Sequence, residues 1–182
     1  MKLTVISGEK KGYLLKVPKD TRPLSSKAKS ALFSILQSYI KDSEILDLYA
    51  GSGALGIEAL SRSASYVEFV DISKNATKII EENISKTNLK YKSEIHTIPA
   101  EIYVKKNKHI KKFDIIFVFQ PYNKTDNNIL KNTKNMLRDD GIIVFEKEKN
   151  NDIKNIHGLK LIDQRTYGKT SILFYILNHK ST

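Results

Sequence analysis

The chain has 182 residues, 40% of them hydrophobic and 28% charged, with a net charge of +11 at pH 7, which is enough for one domain with an ordinary buried core. It contains no cysteine, which excludes a disulfide framework, a thiolate zinc site and a cysteine nucleophile. It also has no apolar run near the roughly 20 residues of a membrane span and no signal-peptide core, so we expect a cytoplasmic protein without a membrane partner.

The N-terminal part of the chain predicts a β-hairpin followed by a helix. Two short apolar segments, residues 2–7 and 13–17, have the composition of strands, and Gly8 and Gly12 bracket the connection between them, as a hairpin requires. From Ser25 onwards the apolar residues recur at the three- and four-residue spacing of one helix face. These residues are Ala28, Ala31, Leu32, Ile35, Leu36 and Tyr39.

After residue 44 the pattern alternates between strand and helix. The predicted strands cover residues 45–49, 66–71, 93–98, 113–119 and 142–145, and the predicted helices cover 54–61, 73–86, a short Lys-rich segment after 98, and 126–137. A closing hairpin is predicted for 159–165 and 170–177. Alternating strands and helices indicate βαβ units, so we expect an α/β fold with a Rossmann-like, mainly parallel sheet, an antiparallel C-terminal hairpin and a small N-terminal β-hairpin extension. We divide the chain into the hairpin with its basic loop, 1–23, and the α/β domain, 24–182.

The positive charge is concentrated at the N-terminus. The first 30 residues hold eight basic residues against Glu9 and Asp20. A basic segment at one end of a chain is typical of proteins that bind a polyanion. The alternative is a lysine-rich surface that is simply solvated.

A glycine-rich loop lies between the first predicted strand of the α/β domain and its helix, in residues 47–56 (DLYAGSGALG). Glycines there let the backbone turn tightly and approach a ligand at the helix N-terminus. Asp71 follows Gly51 by twenty residues and ends the next predicted strand, where a carboxylate can accept both hydroxyls of a ribose. The pair predicts an adenosine-containing ligand.

Three ligand assignments remain open for this loop. G-x-G-x-x-G with a downstream acid also fits NAD, and a glycine-rich turn without a ligand is possible. Asp47 favours S-adenosylmethionine, because a carboxylate before the loop would repel a pyrophosphate but suit the ammonium of a methionine moiety. The loop also comes after more than 40 residues, whereas dinucleotide-binding folds often begin with it, and this too favours S-adenosylmethionine.

Residues 47–60 (DLYAGSGALGIEAL) resemble the cofactor loop of the RsmD family, bacterial methyltransferases that modify guanine N2 in 16S ribosomal RNA. The resemblance extends in order over nearly the whole chain, through residues 5–8 with 11–12, 21–23 with 31–33, 69–71 and 167–170. It implies a class I methyltransferase acting on the small ribosomal subunit or an assembly intermediate, with the N-terminal hairpin holding the RNA. The phosphate contacts are then expected from Lys10, Lys11 and Arg22.

The resemblance also implies a set of cofactor-binding residues. In this sequence they are Asp47, Ala50, Gly51, Ser52, Gly53, Asp71, Ile72 and Ala100. One position departs from the family, because Pro99 stands where the family has an aspartate that contacts the adenine amine. Proline offers neither a side-chain acceptor nor a backbone N–H for that contact.

The catalytic motif departs from the family as well. Where the family has Asp-Pro-Pro-Tyr, this chain has Phe119-Gln120-Pro121-Tyr122. A guanine amine is a poor nucleophile, so the site must hold the extruded base and accept hydrogen bonds from the amine. Tyr122 can stack on the base and Pro121 can shape the turn, with Phe119 and Gln120 lining the pocket. Phe119 offers no acceptor.

Two functions therefore remain for this chain. One is methyl transfer to guanine N2 of small-subunit rRNA with altered efficiency. The other is a catalytically impaired or inactive member that binds RNA or assists ribosome assembly. The four histidines have no metal-ligand spacing, so we expect no metal, and we interpret Glu146, at a strand end, as structural.

Overall fold

The computed structural model describes residues 3–19, 21, 23–121, 128–151 and 155–179. Arg22 and Tyr122, both named above as site residues, lie outside this part of the chain. The strands are β1 (Leu3–Thr4), β2 (Leu14–Leu15), β3 (Glu44–Leu48), β4 (Tyr66–Asp71), β5 (Ser93–Thr97), β6 (Phe113–Val118), β7 (Leu137–Glu148), β8 (Leu159–Tyr167) and β9 (Thr170–Leu177). The helices are α1 (Ser26–Ile35), α2 (Gln37–Ile40), α3 (Ala54–Ser61), α4 (Lys74–Lys86), α5 (Ala100–Asn107) and α6 (Asn128–Thr133).

A seven-stranded sheet with the order β5-β4-β3-β6-β7-β9-β8 forms the centre of the fold. Neighbouring strands from β5 to β7 are parallel, whereas β9 runs antiparallel to β7 and to β8. The predicted α/β class, with a mainly parallel sheet and an antiparallel C-terminal hairpin, is confirmed. The chain moves outward from β3 to β5 and returns at β6, so the order reverses between β3 and β6. Open α/β sheets bind ligands at the carboxyl ends of the strands beside such a reversal.

Helices cover both faces of the sheet. Residues of α1 to α4 pack with β1 and β2 in one core cluster, and α5 and α6 pack in a second cluster on the other face. Strands buried on both faces read as continuous apolar runs, which explains why β6 (FDIIFV) was easy to recognise in the sequence.

The N-terminal hairpin is present, but its paired segments are shorter than predicted. Leu3 pairs with Leu15 and Thr4 with Leu14, after which the backbone N–H groups of Ile6 and Ser7 donate to the buried carboxylate of Glu58 at 2.8 and 3.0 Å. For Ile6 and Ser7, the side chain of Glu58 thus takes the place of a partner strand. Leu3 and Leu15 lie in the same core cluster as α1 to α4. The boundary between residues 23 and 24 stays a prediction.

Two helical segments differ from the prediction. The single helix predicted from residue 25 is divided at Leu36, which ends α1 and precedes α2. The helix predicted for 126–137 is wrong at its end, because α6 passes into a short 3₁₀ turn (Lys134–Met136) and Leu137 begins β7. The twelve-residue β7 exceeds the predicted 142–145, since it pairs with β6 on one side and β9 on the other.

Candidate functional site

The glycine-rich loop lies directly at the carboxyl end of β3. Gly51 and Gly53 have φ values of +56° and +73°, a left-handed conformation that glycine adopts without steric cost. The backbone N–H of Gly53 donates to the carbonyl of Ala50 at 2.8 Å, and the N–H of Ile57 donates to the carbonyl of Gly53 at 2.9 Å. The loop therefore turns directly into α3, whose first N–H groups face the carboxyl edge of the sheet.

Asp71 connects this loop to the next one. One carboxylate oxygen accepts from the backbone N–H of Gly51 at 2.9 Å, and the other accepts from the N–H of Ser73 at 2.9 Å. Ser73 caps α4 by accepting from the N–H of Ala76. Because an ionised carboxylate has about four acceptor positions, Asp71 can hold both loops and still accept from two ribose hydroxyls.

Asp47 is a buried carboxyl group on the cavity side of β3. It is 1% exposed, and its Oδ2 accepts from the backbone N–H of Gly56 at 3.1 Å. Burial raises the pKa of Asp47, and the negative charge of Asp71 adds to the increase. The hydrogen bond from Gly56 opposes it, and the resulting pKa is about 8. Such a group becomes ionised readily when a ligand brings a positive charge to it.

A cavity of about 500 Å³ opens at this edge of the sheet. It is bounded by the glycine loop, the start of α4, the connection between the hairpin and α1, and the end of β6. Of the predicted site residues, Asp47, Ala50, Gly51, Ser52, Asp71, Ile72, Phe119, Gln120 and Pro121 line it. Gly53 caps α3, and Ala100 packs in the second core cluster; neither lines the cavity, and their roles in cofactor binding stay predictions.

The altered motif forms one wall of the cavity. The Phe119 ring is half-buried and lies edge-on to the Phe117 ring, with centroids 6.2 Å apart. Gln120 is 4% exposed, and within the described part of the chain its Nε2 has no hydrogen-bond partner. Pro121 is exposed, and Tyr122 lies outside the described residues.

Several cavity residues were missed at the level of sequence. The connection between the hairpin and α1 contributes Pro18, Thr21, Pro23 and Leu24. Glu146, interpreted above as structural, also lines the cavity. Glu146 could have been predicted from the sequence, because the carboxyl end of a strand parallel to β6 must lie at the same edge of the sheet as Phe119.

Two of the proposed RNA-contact residues, Lys10 and Lys11, do not line the cavity. The backbone N–H of Lys10 donates to Ser61 Oγ at 2.9 Å, and Ser61 ends α3, about 12 Å along the helix from the glycine loop at 1.5 Å per residue. Lys10 Nζ is paired with Glu9 at 2.6 Å, and Lys11 is exposed. Arg22 lies outside the described residues.

One group of potential metal ligands, Glu68, Glu94 and His96, occurs in the described residues. The carboxylate of Glu68 is already engaged by Lys111 Nζ at 2.8 Å, by His96 Nε2 at 2.8 Å and by the Tyr103 hydroxyl. Burial raises the pKa of Glu68, but these hydrogen bonds outweigh it and lower the pKa to about 2. The group forms a hydrogen-bonded ion-pair network on β4, β5 and α5.

No helix in the described ranges is both long and apolar enough to cross a membrane.

Comparison with known proteins gives a consistent result. The model of the family described as conserved hypothetical protein 95 matches residues 3–176. The chain is 36% identical over 159 residues to ribosomal RNA small subunit methyltransferase D of Buchnera aphidicola (subsp. Acyrthosiphon pisum), covering 84% of this chain and 81% of that protein. It is 31% identical over 179 residues to the protein of the same name in Haemophilus influenzae, covering 94% and 92%. The crystal structure of the Haemophilus influenzae protein HI0767, described as a proposed methylase, superposes with a TM-score of 0.80 at 27% identity, covering 96% of this chain and 98% of that one.

Proposed function

Since the chain belongs to the conserved hypothetical protein 95 family, which is the RsmD family, we propose that it transfers a methyl group from S-adenosylmethionine to guanine N2 in 16S rRNA. The observation that carries this proposal is the cavity at the reversal of strand order. There the glycine loop, Asp47, Asp71 and the altered catalytic motif face one space. Relatives named ribosomal RNA small subunit methyltransferase D support the rRNA substrate.

The residues present fit S-adenosylmethionine. Asp47 supplies a buried carboxyl group for the methionine ammonium, and Asp71 supplies an acceptor for the ribose hydroxyls. Ile72, which is 63% exposed and lines the cavity, offers an apolar surface for the adenine. When bound, the cofactor supplies an electrophilic methyl group on a sulfonium.

The chain's own contribution to the reaction is to orient the base. A target base must leave its stack and enter the cavity, where Phe119, Gln120 and Pro121 form one wall. Holding the amine in line with the methyl group accelerates the transfer, because the two reacting groups are already oriented. Tyr122 is assigned to stacking on the base by the family motif alone.

The substrate also determines the partner and the cellular location. We assign the partner as the small ribosomal subunit or an assembly intermediate, which places the protein in the cytoplasm. The hairpin and its basic loop, with Lys10, Lys11 and Arg22, are proposed to contact phosphates, because their charge suits a polyanion.

One observation favours the second candidate, a family member with impaired catalysis. Phe119 occupies the position of the motif's aspartate, and the absence of a charge-assisted hydrogen bond costs about 1.5–3 kcal/mol, or roughly ten- to a hundredfold in rate. In this case the protein would still bind the cofactor and the RNA.

The test is methyl transfer from labelled S-adenosylmethionine to undermethylated small ribosomal subunits. The native protein is compared with the double variant Phe119→Asp, Gln120→Pro, which restores the family motif. Transfer by the native protein to a guanine N2 supports the first function. Transfer by the restored variant alone supports the second, and transfer by neither contradicts the assigned reaction.

A further inference from the structure

The position that lacks the family's aspartate has a carboxylate as its neighbour on the next strand. Val118 of β6 pairs with Phe145 of β7 in parallel register, on strands that lie about 4.8 Å apart. Phe119 and Glu146 directly follow this last pair. Side chains alternate between the two faces of a strand. Val144, two residues before Glu146, packs in the first core cluster, and Phe119 packs against the same cluster. Both Phe119 and Glu146 line the cavity.

Gln120 provides an unused donor in the same wall. It is 4% exposed and lines the cavity, and its Nε2 has no hydrogen-bond partner within the described part of the chain. Buried polar groups in native proteins are nearly always paired, and an exception calls for an explanation. A ligand that brings an acceptor into the cavity provides one.

We propose that Glu146 and Gln120 recognise the guanine base as a pair, and that Glu146 supplies the acceptor that Phe119 lacks. This inference rests on the proposed methyl transfer to guanine. The Watson–Crick edge of guanine has two adjacent donors, N1–H and the N2 amine, and one carboxylate can accept from both. Guanine also has ring acceptors, which suit the Nε2 donor of Gln120.

Glu146 then takes part in the reaction through the proton that the amine loses. The lone pair of N2 forms the new bond to the methyl carbon while the carbon–sulfur bond breaks and leaves its electron pair on sulfur. N2 gives up one proton, which the Glu146 carboxylate accepts and passes to water. A base within hydrogen-bond reach of the departing proton meets the geometric requirement for general base catalysis.

Nucleotide binding tests the recognition without any turnover. The probes are 5′-GMP and 5′-IMP, which differ only in the N2 amine, and saturation-transfer NMR or calorimetry measures their affinities. We expect the native protein to prefer 5′-GMP by about tenfold, and Glu146→Gln to remove this preference. The matched control Glu148→Gln, two residues further along β7 and outside the cavity, keeps the preference. A preference that survives Glu146→Gln overturns the proposal.

Turnover on undermethylated subunits tests the acceptor. Glu146→Gln is expected to lower kcat ten- to a hundredfold with the KM for S-adenosylmethionine unchanged, and adding Phe119→Asp to this variant should restore part of the activity. An unchanged kcat in Glu146→Gln contradicts the catalytic part. If the native protein transfers no methyl group while its preference for 5′-GMP depends on Glu146, the proposed function fails and the recognition stands.

Gln120→Met tests the donor through stability and binding together. The substitution keeps the size of the side chain and removes a buried N–H donor without a partner, so Tm of the ligand-free protein should rise by a few degrees. Affinity for 5′-GMP should fall about tenfold in the same variant. An unchanged 5′-GMP affinity contradicts the role of Gln120.

Discussion

Asp47 is a carboxyl group whose ionisation state depends on what the cavity holds. In the ligand-free protein its pKa is raised to about 8, first by burial, so the group is mostly protonated at pH 7. The unfolded chain loses this proton near pH 3.8, whereas the folded protein keeps it until about pH 8. Asp47 therefore makes folding less favourable as the pH rises across that interval.

We predict that Asp47→Asn removes this dependence. Relative to the native protein, the variant should gain stability between pH 4 and pH 8, by at most about 1.4 kcal/mol for each pH unit, and should match it near pH 4. Urea unfolding over this pH range measures the difference. Asp139→Asn, which alters an exposed carboxylate, is the control, and a gain that is the same at all pH values would contradict the assignment.

The same carboxyl group predicts how cofactor affinity changes with pH. The ammonium of S-adenosylmethionine needs an ionised Asp47, so the native affinity should rise from pH 6 to pH 7 by up to about tenfold. Calorimetry in two buffers of different ionisation enthalpy should show one proton released on binding. In Asp47→Asn the affinity should be weaker and independent of pH, and a native affinity that is flat in this range would exclude the ion pair.

The sequence predicted the two carboxylates beside the glycine loop better than it predicted the hydrogen bonding of the altered motif. Asp47 and Asp71 were found because their spacing from the glycine loop carries chemical meaning. The unpaired amide of Gln120 was not found, since the sequence gives no information on which side-chain atoms are satisfied after folding.

At the level of elements, the turn of the N-terminal hairpin packs against the end of α3, and Gly8 makes this close approach possible. Gly8 has a φ of +82°, and a Cβ built there would lie 1.8 Å from the carbonyl oxygen of Ser61. Gly12 has a similar φ of +88°, but a Cβ there meets nothing within 4 Å. The two glycines thus share a left-handed conformation, in which any other residue would be strained, and differ in the space around them.

This pair gives a matched prediction. Gly12→Ala should cost about 1–2 kcal/mol from the left-handed conformation alone, and Gly8→Ala should cost a further 1–3 kcal/mol, by rough estimate, because the hairpin must move away from α3. Urea unfolding measures both free energies. Equal destabilisation of the two variants would mean that the hairpin is not held against Ser61.

The hairpin is also the element to which RNA binding is assigned. We expect the triple variant Lys10→Glu, Lys11→Glu, Arg22→Glu to weaken binding to small-subunit rRNA. The slope of log K against log salt should also become shallower, by roughly 0.7 for each single-strand phosphate that the variant no longer neutralises. Filter binding at several salt concentrations measures both. In the double variant Lys10→Glu, Lys11→Glu, cofactor affinity should not change, because neither residue lines the cavity.

The control for this prediction carries the same change of net charge. Charge reversal at the exposed lysines Lys149, Lys160 and Lys169, near the β7–β9 side of the sheet, should leave most of the affinity intact. An equal decrease of affinity in the two triple variants would indicate a general effect of net charge, and the hairpin would not be the contact surface.

Element boundaries show which patterns were informative. β6 was predicted to within one residue, because an apolar run buried on both faces is unambiguous. β7 was not, since three of its first four residues, LRDD, are charged; Leu137 pairs with Phe113, and Arg138 is held by ion pairs with Glu44 and Asp114.

On the scale of the whole molecule, one buried carboxylate joins the hairpin to the α/β domain. Glu58 is 0% exposed; it accepts from the backbone N–H groups of Ile6 and Ser7 and pairs with Lys29 of α1 at 3.0 Å. The sequence of α3 does not predict that Glu58 is buried, because a glutamate in a helix is usually solvated. The sequence therefore predicted the hairpin but not how it is attached.

Lys29 depends on that carboxylate. It is 1% exposed, and its Nζ donates to the carbonyl of Thr4 at 2.7 Å. Burial lowers the pKa of Lys29, and the charge of Glu58 opposes the decrease. Removing Glu58 would leave a buried cation with one neutral partner.

We predict that Glu58→Gln destabilises the protein by about 3–5 kcal/mol, the usual cost when one partner of a buried ion pair is removed. In this variant the pKa of Lys29 should be lowered further, so that the folded protein can bury a neutral Lys29 at high pH. The unfolded chain still keeps the Lys29 proton there, so the loss of stability should become smaller as the pH rises toward 10. Adding Lys29→Met should recover most of the stability at pH 7, since it removes the fully buried unpaired charge, whereas Arg62, the other partner of Glu58, is partly exposed. Urea unfolding at pH 7 and 9.5 measures these differences, and hydrogen exchange at the Ile6 and Ser7 amides reports whether the hairpin detaches first. A deficit that is independent of pH and unrelieved by Lys29→Met would show that Glu58 acts only through its backbone hydrogen bonds.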